Sequence, residues 1–394
     1  MPLAKDLARR IDDAVDADAS ALADLSHKIH THPELRFEEV KAAGWICELL
    51  EGHAHVVERG LGGMPTAFRA RAGKPGGPTV AILAEYDALP EIGHACGHNL
   101  IATSAVGAFL AAAKVAKDAG GEVVLLGTPA EEGGGGKIKL LQAGAFSGID
   151  AAMMFHPFDR DLLAHAALAS VWVQFAFRGT PSHAAAAPHV GSSALTACMD
   201  LFRLVDGQRV HFRDGVRVHG YITDGGQAVN VIPERAACEL SVRARDTTEL
   251  ARVQAIVMRC GKAAAMASGV EVEIALREGY KDMVNNMTLA RRFGAHLEAL
   301  GRPAVETDAS LGAGSTDMGD VSHAVPSIHP YLGIVDPGSA LCHEHRFAAA
   351  AGSDRGTRTA LDAAKALGRT AVELLSDAGL RDAVRAEWKT QNKN

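Results

Sequence analysis

Aromatic side chains are scarce in this chain of 394 residues, at 5% of the total against 47% hydrophobic residues overall. A core so short of rings has to be built on Ala, Leu and Val, which suits helix-rich packing. Basic residues are not in excess either: the formal net charge is −7 and no block of Lys and Arg stands ready to hold phosphates. Nucleic acid and anionic membranes are therefore not expected as partners. The six cysteines, at 47, 96, 198, 238, 260 and 342, show no framework spacing, and the opening "MPLAKDLARRIDDAVDADASALADL" has helical periodicity and acids rather than an apolar leader core. Free thiols in a reducing cytoplasm are the expectation. Apolar runs such as "AAMMF" and "VVLL" fall short of the roughly 18 to 20 residues a spanning helix needs, so no membrane span is expected.

What is present is enough chain for two or three cores. Three segments, "TVAILAEYDALP" (79–90), "GEVVLLGTPAEEGG" (121–134) and "IDAAMMFHPF" (149–158), each run from a short apolar stretch into polar or glycine-rich sequence. Continuous apolar runs of that length suit strands buried on both faces of a mainly parallel sheet covered by helices. The Ala-rich helical pattern of 99–120 lies between the first two, completing a βαβ unit. From about residue 168 the order becomes β-α-β-β-α-β, the ferredoxin-like arrangement. The predicted organisation is an α/β domain over 1–167 and 282–394, with a second, smaller domain inserted at 168–281.

Polar residues collect just past the three strand ends, where ligands bind in open α/β sheets. They are Asp87, Cys96 and His98, then Glu131 and Glu132, then His156. Thiolate, imidazole and carboxylate are the ligands that zinc and its neighbours take. A lone Cys-x-His is weak, because a free cysteine is usually core filler; three successive strand ends bearing ligands are stronger. In the Glu131-Glu132 pair one carboxylate can hold metal while the other serves as general base. The "GGGGK" loop fails as a phosphate cradle, since Glu131 stands at the first glycine position and Ile138 where the hydroxyl should be. No G-x-S-x-G elbow surrounds Ser182 or Ser315, so a serine hydrolase is not expected.

The segments "HTHPELRFEE", "AEYDALPEIGHACGHNL", "GTPAEEGGGGK", "FHP", "GTPSHAAAAPHVGSSAL", "GGQAVNVIPERA", "GAGSTDMGDVSHAVPSIHP" and "CHEHRF" occur in that order. Together they resemble the metal-dependent peptidase and amidohydrolase family of aminoacylases, carboxypeptidase G and plant auxin-conjugate hydrolases. Within it, the chain looks most like the branch of p-aminobenzoyl-glutamate hydrolase subunits and β-alanyl-lysine dipeptidase. The resemblance implies Cys96, His98, Glu132 and His156 as metal ligands, Glu131 as catalytic base and Asp87 as the acid that helps fix the metal centre. Other branches carry a histidine two residues before that acid, where this chain has Glu85; Cys96 is then the ligand that takes up its role. A last ligand lies four residues before a phenylalanine, which selects His343, with His345 as competitor.

The resemblance further implies that His183 reaches the reacting carbonyl, in many relatives from the partner subunit of a dimer, and that Asn230 contacts substrate. A helix cap and a turn are their structural alternatives. Arg243 is a candidate partner for a substrate carboxylate, or else a surface charge, and Ser315 lines or braces the cleft. The expected reaction is hydrolysis of an N-acyl or N-aminoacyl amino acid: a p-aminobenzoyl-glutamate-like conjugate, a short dipeptide or an N-acylated aromatic amino acid. One or two divalent ions are implied, two being the family expectation, with zinc suiting the thiolate and manganese, cobalt or nickel open. A homodimer through the inserted domain is expected. The rivals are a non-catalytic partner subunit on the same fold and a thiol enzyme using Cys96 as nucleophile.

Overall fold

The computed structural model describes residues 3–277 and 279–392. The chain divides into two compact units, one of Met1–Ala166, Met283–Ala313 and Asp317–Asn394, the other of Ala167–Asp282 and Gly314–Thr316. The short segment Gly314–Thr316 joins the second unit, where the Leu168 N–H donates to the Gly314 carbonyl at 2.7 Å. Ser315 therefore falls outside the unit to which its sequence position assigns it.

The first unit opens with helices α1 (Lys5–Ala17), α2 (Ala19–Thr31) and α3 (Val40–Gly52), then strands β1 (Val57–Arg59), β2 (Phe68–Gly73) and β3 (Thr79–Ala84). It continues through α4 (His98–Ala116), β4 (Glu122–Gly127), α5 (Gly136–Gln142), β5 (Ala151–Met153) and β6 (His156–Phe158). The second unit supplies β7 (Ala169–Arg178), α6 (Ala194–Gln208), β8 (Arg217–Asp224), β9 (Arg235–Ala244), α7 (Thr247–Ser268) and β10 (Glu271–Arg277). The chain then returns through α8 (Met287–Ala299), α9 (Met318–Ala324), β11 (Ser327–Ile328), β12 (Tyr331–Gly333), α10 (His345–Ala351), α11 (Asp354–Ser376) and α12 (Ala378–Gln391).

In the first unit a six-stranded sheet has the order β1-β2-β4-β3-β5-β11. The pairs β4/β3, β3/β5 and β5/β11 are parallel, and β1/β2 and β2/β4 antiparallel. The mixed, mainly parallel α/β sheet expected from the sequence is what forms. Every residue of β3 and β4 is buried, as apolar runs without alternation require. Helix α4 packs against β3, β4 and α11. Its composition and length would suit a membrane crossing, and 89% of its apolar window is buried inside the protein. Uninterrupted apolar runs alone do not reveal it, because small and polar residues punctuate the helix; its hydrophobicity serves the core.

The second unit is a four-stranded antiparallel sheet, β10-β7-β9-β8, with α6 and α7 against it. This is the β-α-β-β-α-β order read from the sequence. Along β7, Val171, Val173, Phe175 and Phe177 turn inward to the helices, the period of two that buries one face of a sheet. Ser193 and Asp246 cap α6 and α7 by accepting the N–H groups of Thr196 and Glu249, and Gly269 closes α7 at φ 64°.

Candidate metal centre

The strands of the first unit deliver their polar ends to one place. After β3 come Glu85 and Asp87, both buried, and the chain then loops to Cys96 before α4 starts at His98. Gly97 makes that entry possible: its φ is +74°, and a Cβ there would lie 2.8 Å from Pro157 Cγ. After β4 the chain passes Ala130, a non-glycine residue at φ 62°. Glu39 holds this strained residue by accepting its N–H at 2.9 Å. Glu131 and Glu132 follow directly. Gly136 closes the loop so tightly that a Cβ would meet the Pro129 carbonyl at 1.7 Å. His156 opens β6, which pairs in parallel with β12.

Two groups of three donor atoms result. Cys96, His98 and Glu132 form one; Cys96, His156 and Cys342 form the other, and within each group the atoms lie within 4.8 Å of one another. Cys96 belongs to both. The sequence points to Cys96, His98, Glu132 and His156 but not to Cys342. His343, the last ligand that the family pattern selects, lies outside both triads; its ring is 59% exposed and its Nε2 is 3.8 Å from Glu132 Oε1. His345 is the exposed first residue of α10. Consecutive residues at the turn, where His343 has φ 71°, thus serve different neighbours.

The groups around the triads orient them. His98 Nδ1 meets the Asp87 carbonyl oxygen at 2.9 Å and Oδ1 at 3.1 Å, which leaves Nε2 facing inward. Asp87 Oδ2 also accepts the Glu132 N–H at 2.9 Å, so one carboxylate orients both the His98 ring and the Glu132 loop. His156 Nδ1 is hydrogen-bonded to the Pro157 carbonyl at 2.6 Å, again leaving Nε2. His98 Nε2 and Glu132 Oε1 are buried with no hydrogen-bond partner. Orphaned donor atoms beside a thiol and a second imidazole are what a divalent cation would satisfy, so these residues fit the metal that the sequence implies.

Charge in the pocket is high. Glu131 Oε2 is 4.0 Å from His98 Nε2; burial, then the Glu85, Glu132 and Asp317 carboxylates, push its carboxyl well above the usual range. Burial would lower His98, but Asp87, Glu85 and Glu132 together raise it well above an ordinary histidine. Burial, reinforced by the His98 charge, pushes His156 down to about 4, which keeps it neutral. The Cys96 thiol is raised, chiefly by its hydrogen bond with Cys342 and then by burial.

Sequence reasoning also misses Lys137. Its fully buried Nζ is bonded to Glu85 Oε1 and, at 2.6 Å, to Asp317 Oδ1, while its own N–H donates to Asp317 Oδ2 at 2.9 Å. Burial opposes its charge, but Asp317 and Glu85 hold the ammonium well above the usual lysine range. A lysine immediately after an acidic, glycine-rich loop is the available signal, and it suggests a phosphate cradle before it suggests a buried ion pair.

In the second unit, His183 pairs with Val231 in an isolated bridge, and the Ala184 N–H donates to the Asn230 carbonyl at 2.9 Å. That brings the His183 and Asn230 segments side by side. His183 Nδ1 accepts the N–H groups of Ala185 and Ala186. Arg243 lies on β9, and its Nε, like Ser315 Oγ, is buried without a hydrogen-bond partner.

Residues 81–365 match peptidase family M20/M25/M40. A Xaa-Arg dipeptidase of Mus musculus is 38% identical over 399 residues, covering 97% of this chain and 92% of its own length. A p-aminobenzoyl-glutamate hydrolase polypeptide of Escherichia coli (strain K12) is 33% identical over 320 residues, 76% of this chain and 66% of its own. A dinuclear metal-binding peptidase of the M20 family from Bacillus subtilis has a similar fold, with TM-score 0.71 at 21% identity over 91% of this chain and 99% of that one. The match over most of the length, with donor triads to suit it, leads to one conclusion: the chain belongs to peptidase family M20/M25/M40 and is a metal-dependent hydrolase of peptide or amide bonds.

Proposed function

We propose that the chain cleaves the amide bond between an aminoacyl or acyl group and an amino acid with a free carboxylate. Dipeptides ending in a basic residue come first, ahead of p-aminobenzoyl-glutamate-like conjugates and N-acyl aromatic amino acids. The order follows the greater identity and coverage of the Xaa-Arg dipeptidase relative. The observation that carries the reading is the pair of donor triads sharing Cys96 with Glu131 beside them.

Divalent metal, when bound, supplies Lewis acidity and lowers the pKa of water toward about 7; two ions are proposed, zinc being the first choice. Glu131 takes the proton of the attacking water on its carboxylate and hands it to the departing amine. Asp87 keeps the His98 ring and the Glu132 loop in register. His183 is assigned to the oxyanion: because Nδ1 accepts two backbone N–H groups, its proton is on Nε2, the nitrogen left to donate. Arg243, with its unpaired buried Nε, is assigned to the substrate carboxylate, alongside Asn230 and Ser315. A homodimer is proposed through the second unit, whose edge strand β8 exposes Tyr221 and Ile222. The thiol-nucleophile rival is disfavoured because Cys96 belongs to both donor triads, where a cation would engage its sulfur.

The test is Glu131→Ala in metal-loaded protein, assayed on Xaa-Arg and Xaa-Lys dipeptides, p-aminobenzoyl-glutamate and N-acyl aromatic amino acids. We expect kcat to fall by roughly 10²- to 10⁴-fold with metal content unchanged. Activity that survives with metal in place overturns the mechanism, and activity indifferent to chelation revives the thiol rival.

A further inference from the structure

We propose that Cys342 is a metal ligand, so that one of the two positions in this chain's centre is a Cys96/His156/Cys342 site bearing two thiolates and one imidazole. The inference rests on the metal-centre reading above and adds a ligand to it.

Four observations carry it. First, the donor atoms of Cys96, His156 and Cys342 lie within 4.8 Å of one another. Around a zinc ion with bonds of about 2.3 Å to sulfur and 2.0 Å to nitrogen, tetrahedral donors stand roughly 3.4–3.8 Å apart. The triad therefore needs little contraction to close. Second, His156 Nδ1 is engaged by the Pro157 carbonyl, which leaves Nε2 as the donor.

Third, the backbone fixes Cys342 in place: the N–H of the next residue, His343, donates to the Ala95 carbonyl at 3.0 Å. This pins the C-terminal turn to the residue preceding Cys96. Fourth, His343 faces Glu132, at 3.8 Å, and so stands beside the other triad. The turn thus offers a sulfur to one position and an imidazole to the other. Closing the thiolate site would release two protons, one from each thiol, as each sulfur exchanged its proton for the metal.

The consequence is a division of labour. The two-thiolate position neutralises the charge of a dication and selects thiophilic metals over manganese. The Cys96/His98/Glu132 position, next to Glu131, keeps the harder donors and the greater Lewis acidity.

The probe is cobalt(II), titrated into the metal-free full-length protein and read by its near-ultraviolet thiolate-to-cobalt charge-transfer band. Wild type, Cys342→Ala, Cys342→Ser, His343→Ala and Cys96→Ala are compared, each checked for native circular dichroism. We expect both Cys342 variants to lose roughly a third or more of the band and to bind one cobalt at least tenfold more weakly. His343→Ala should keep the band. If both Cys342 variants retain the full band and affinity while Cys96→Ala loses them, the Cys342 assignment is overturned and the metal centre stands. A wild-type protein with no thiolate band overturns the metal-centre reading itself. Loss in Cys342→Ser as well as Cys342→Ala traces the effect to sulfur rather than to packing.

Discussion

The two units bury very different things. The core of the second unit is made of Val171, Val173, Phe175, Leu201, Leu240, Val253 and their apolar neighbours, and the buried acid Glu249 there is paired with Arg252 at 2.6 Å. The first unit buries Glu39, Glu85, Asp87, His94, His98, Lys137, Asp317 and His329 among its apolar strands and helices. Isolated charges in such an interior are costly, and they persist only when paired, hydrogen-bonded or coordinated. The second unit has the composition of a scaffold; the first gives up stability to hold a reactive cluster.

The contrast can be broken most severely at Lys137. Lys137→Ala leaves Glu85 and Asp317 buried without their cation, and unfolding in denaturant should show a loss of about 3–5 kcal/mol. The same variant should lose metal affinity in a titration, since Glu85 Oε2 lies 3.6 Å from His98 Nε2. In the second unit Leu201→Ala removes a fully buried side chain and should cost about 2–5 kcal/mol through its cavity. Its metal content, measured by elemental analysis, should match wild type. Comparable stability losses, with metal binding weakened in one variant and kept in the other, would sharpen the difference between the units.

Glu39 gives a pH-dependent test. Burial, helped by Asp87, pushes its carboxyl up to about 7 from 4.5. Between those values the folded chain keeps a proton that the unfolded chain has released, so its contribution is complete below about pH 4.5 and lost as pH rises through about 7. Glu39→Gln preserves acceptance from the Phe37 and Ala130 N–H groups. It should flatten that fall, on the order of 3 kcal/mol across the window, in unfolding curves recorded at several pH values. The smallest effect belongs to the surface: Arg203→Ala breaks an exposed pair with Asp200 and should change stability by less than about 0.5 kcal/mol.

How much of this is legible in the sequence follows from the range of each interaction. Asp87, Cys96, His98, Glu131, Glu132 and His156 each sit just beyond a short apolar run, so a local pattern announces them and the parallel sheet brings them together. The β-α-β-β-α-β order of the second unit is legible for the same reason, because each element carries its own periodicity. Lys137 is not, since its partners lie 52 and 180 residues away in sequence and no local pattern joins a glycine loop to them. Cys342 is hidden differently. It stands beside the histidine that the family pattern selects, and only the turn at His343 decides which of the two neighbours faces Cys96. Ala130 looks unremarkable in sequence, although its left-handed backbone, held by Glu39, aims the loop that carries Glu131 and Glu132.

The central claim is that the strand ends of the first unit form a metal centre organised around Cys96. Anomalous X-ray scattering from crystals of the zinc-loaded protein tests it most directly. We expect peaks within about 2.0–2.3 Å of Cys96 Sγ, the His98 and His156 Nε2 atoms and a Glu132 carboxylate oxygen. Zinc bound only elsewhere, with these donors still unoccupied at saturating metal, would contradict the account.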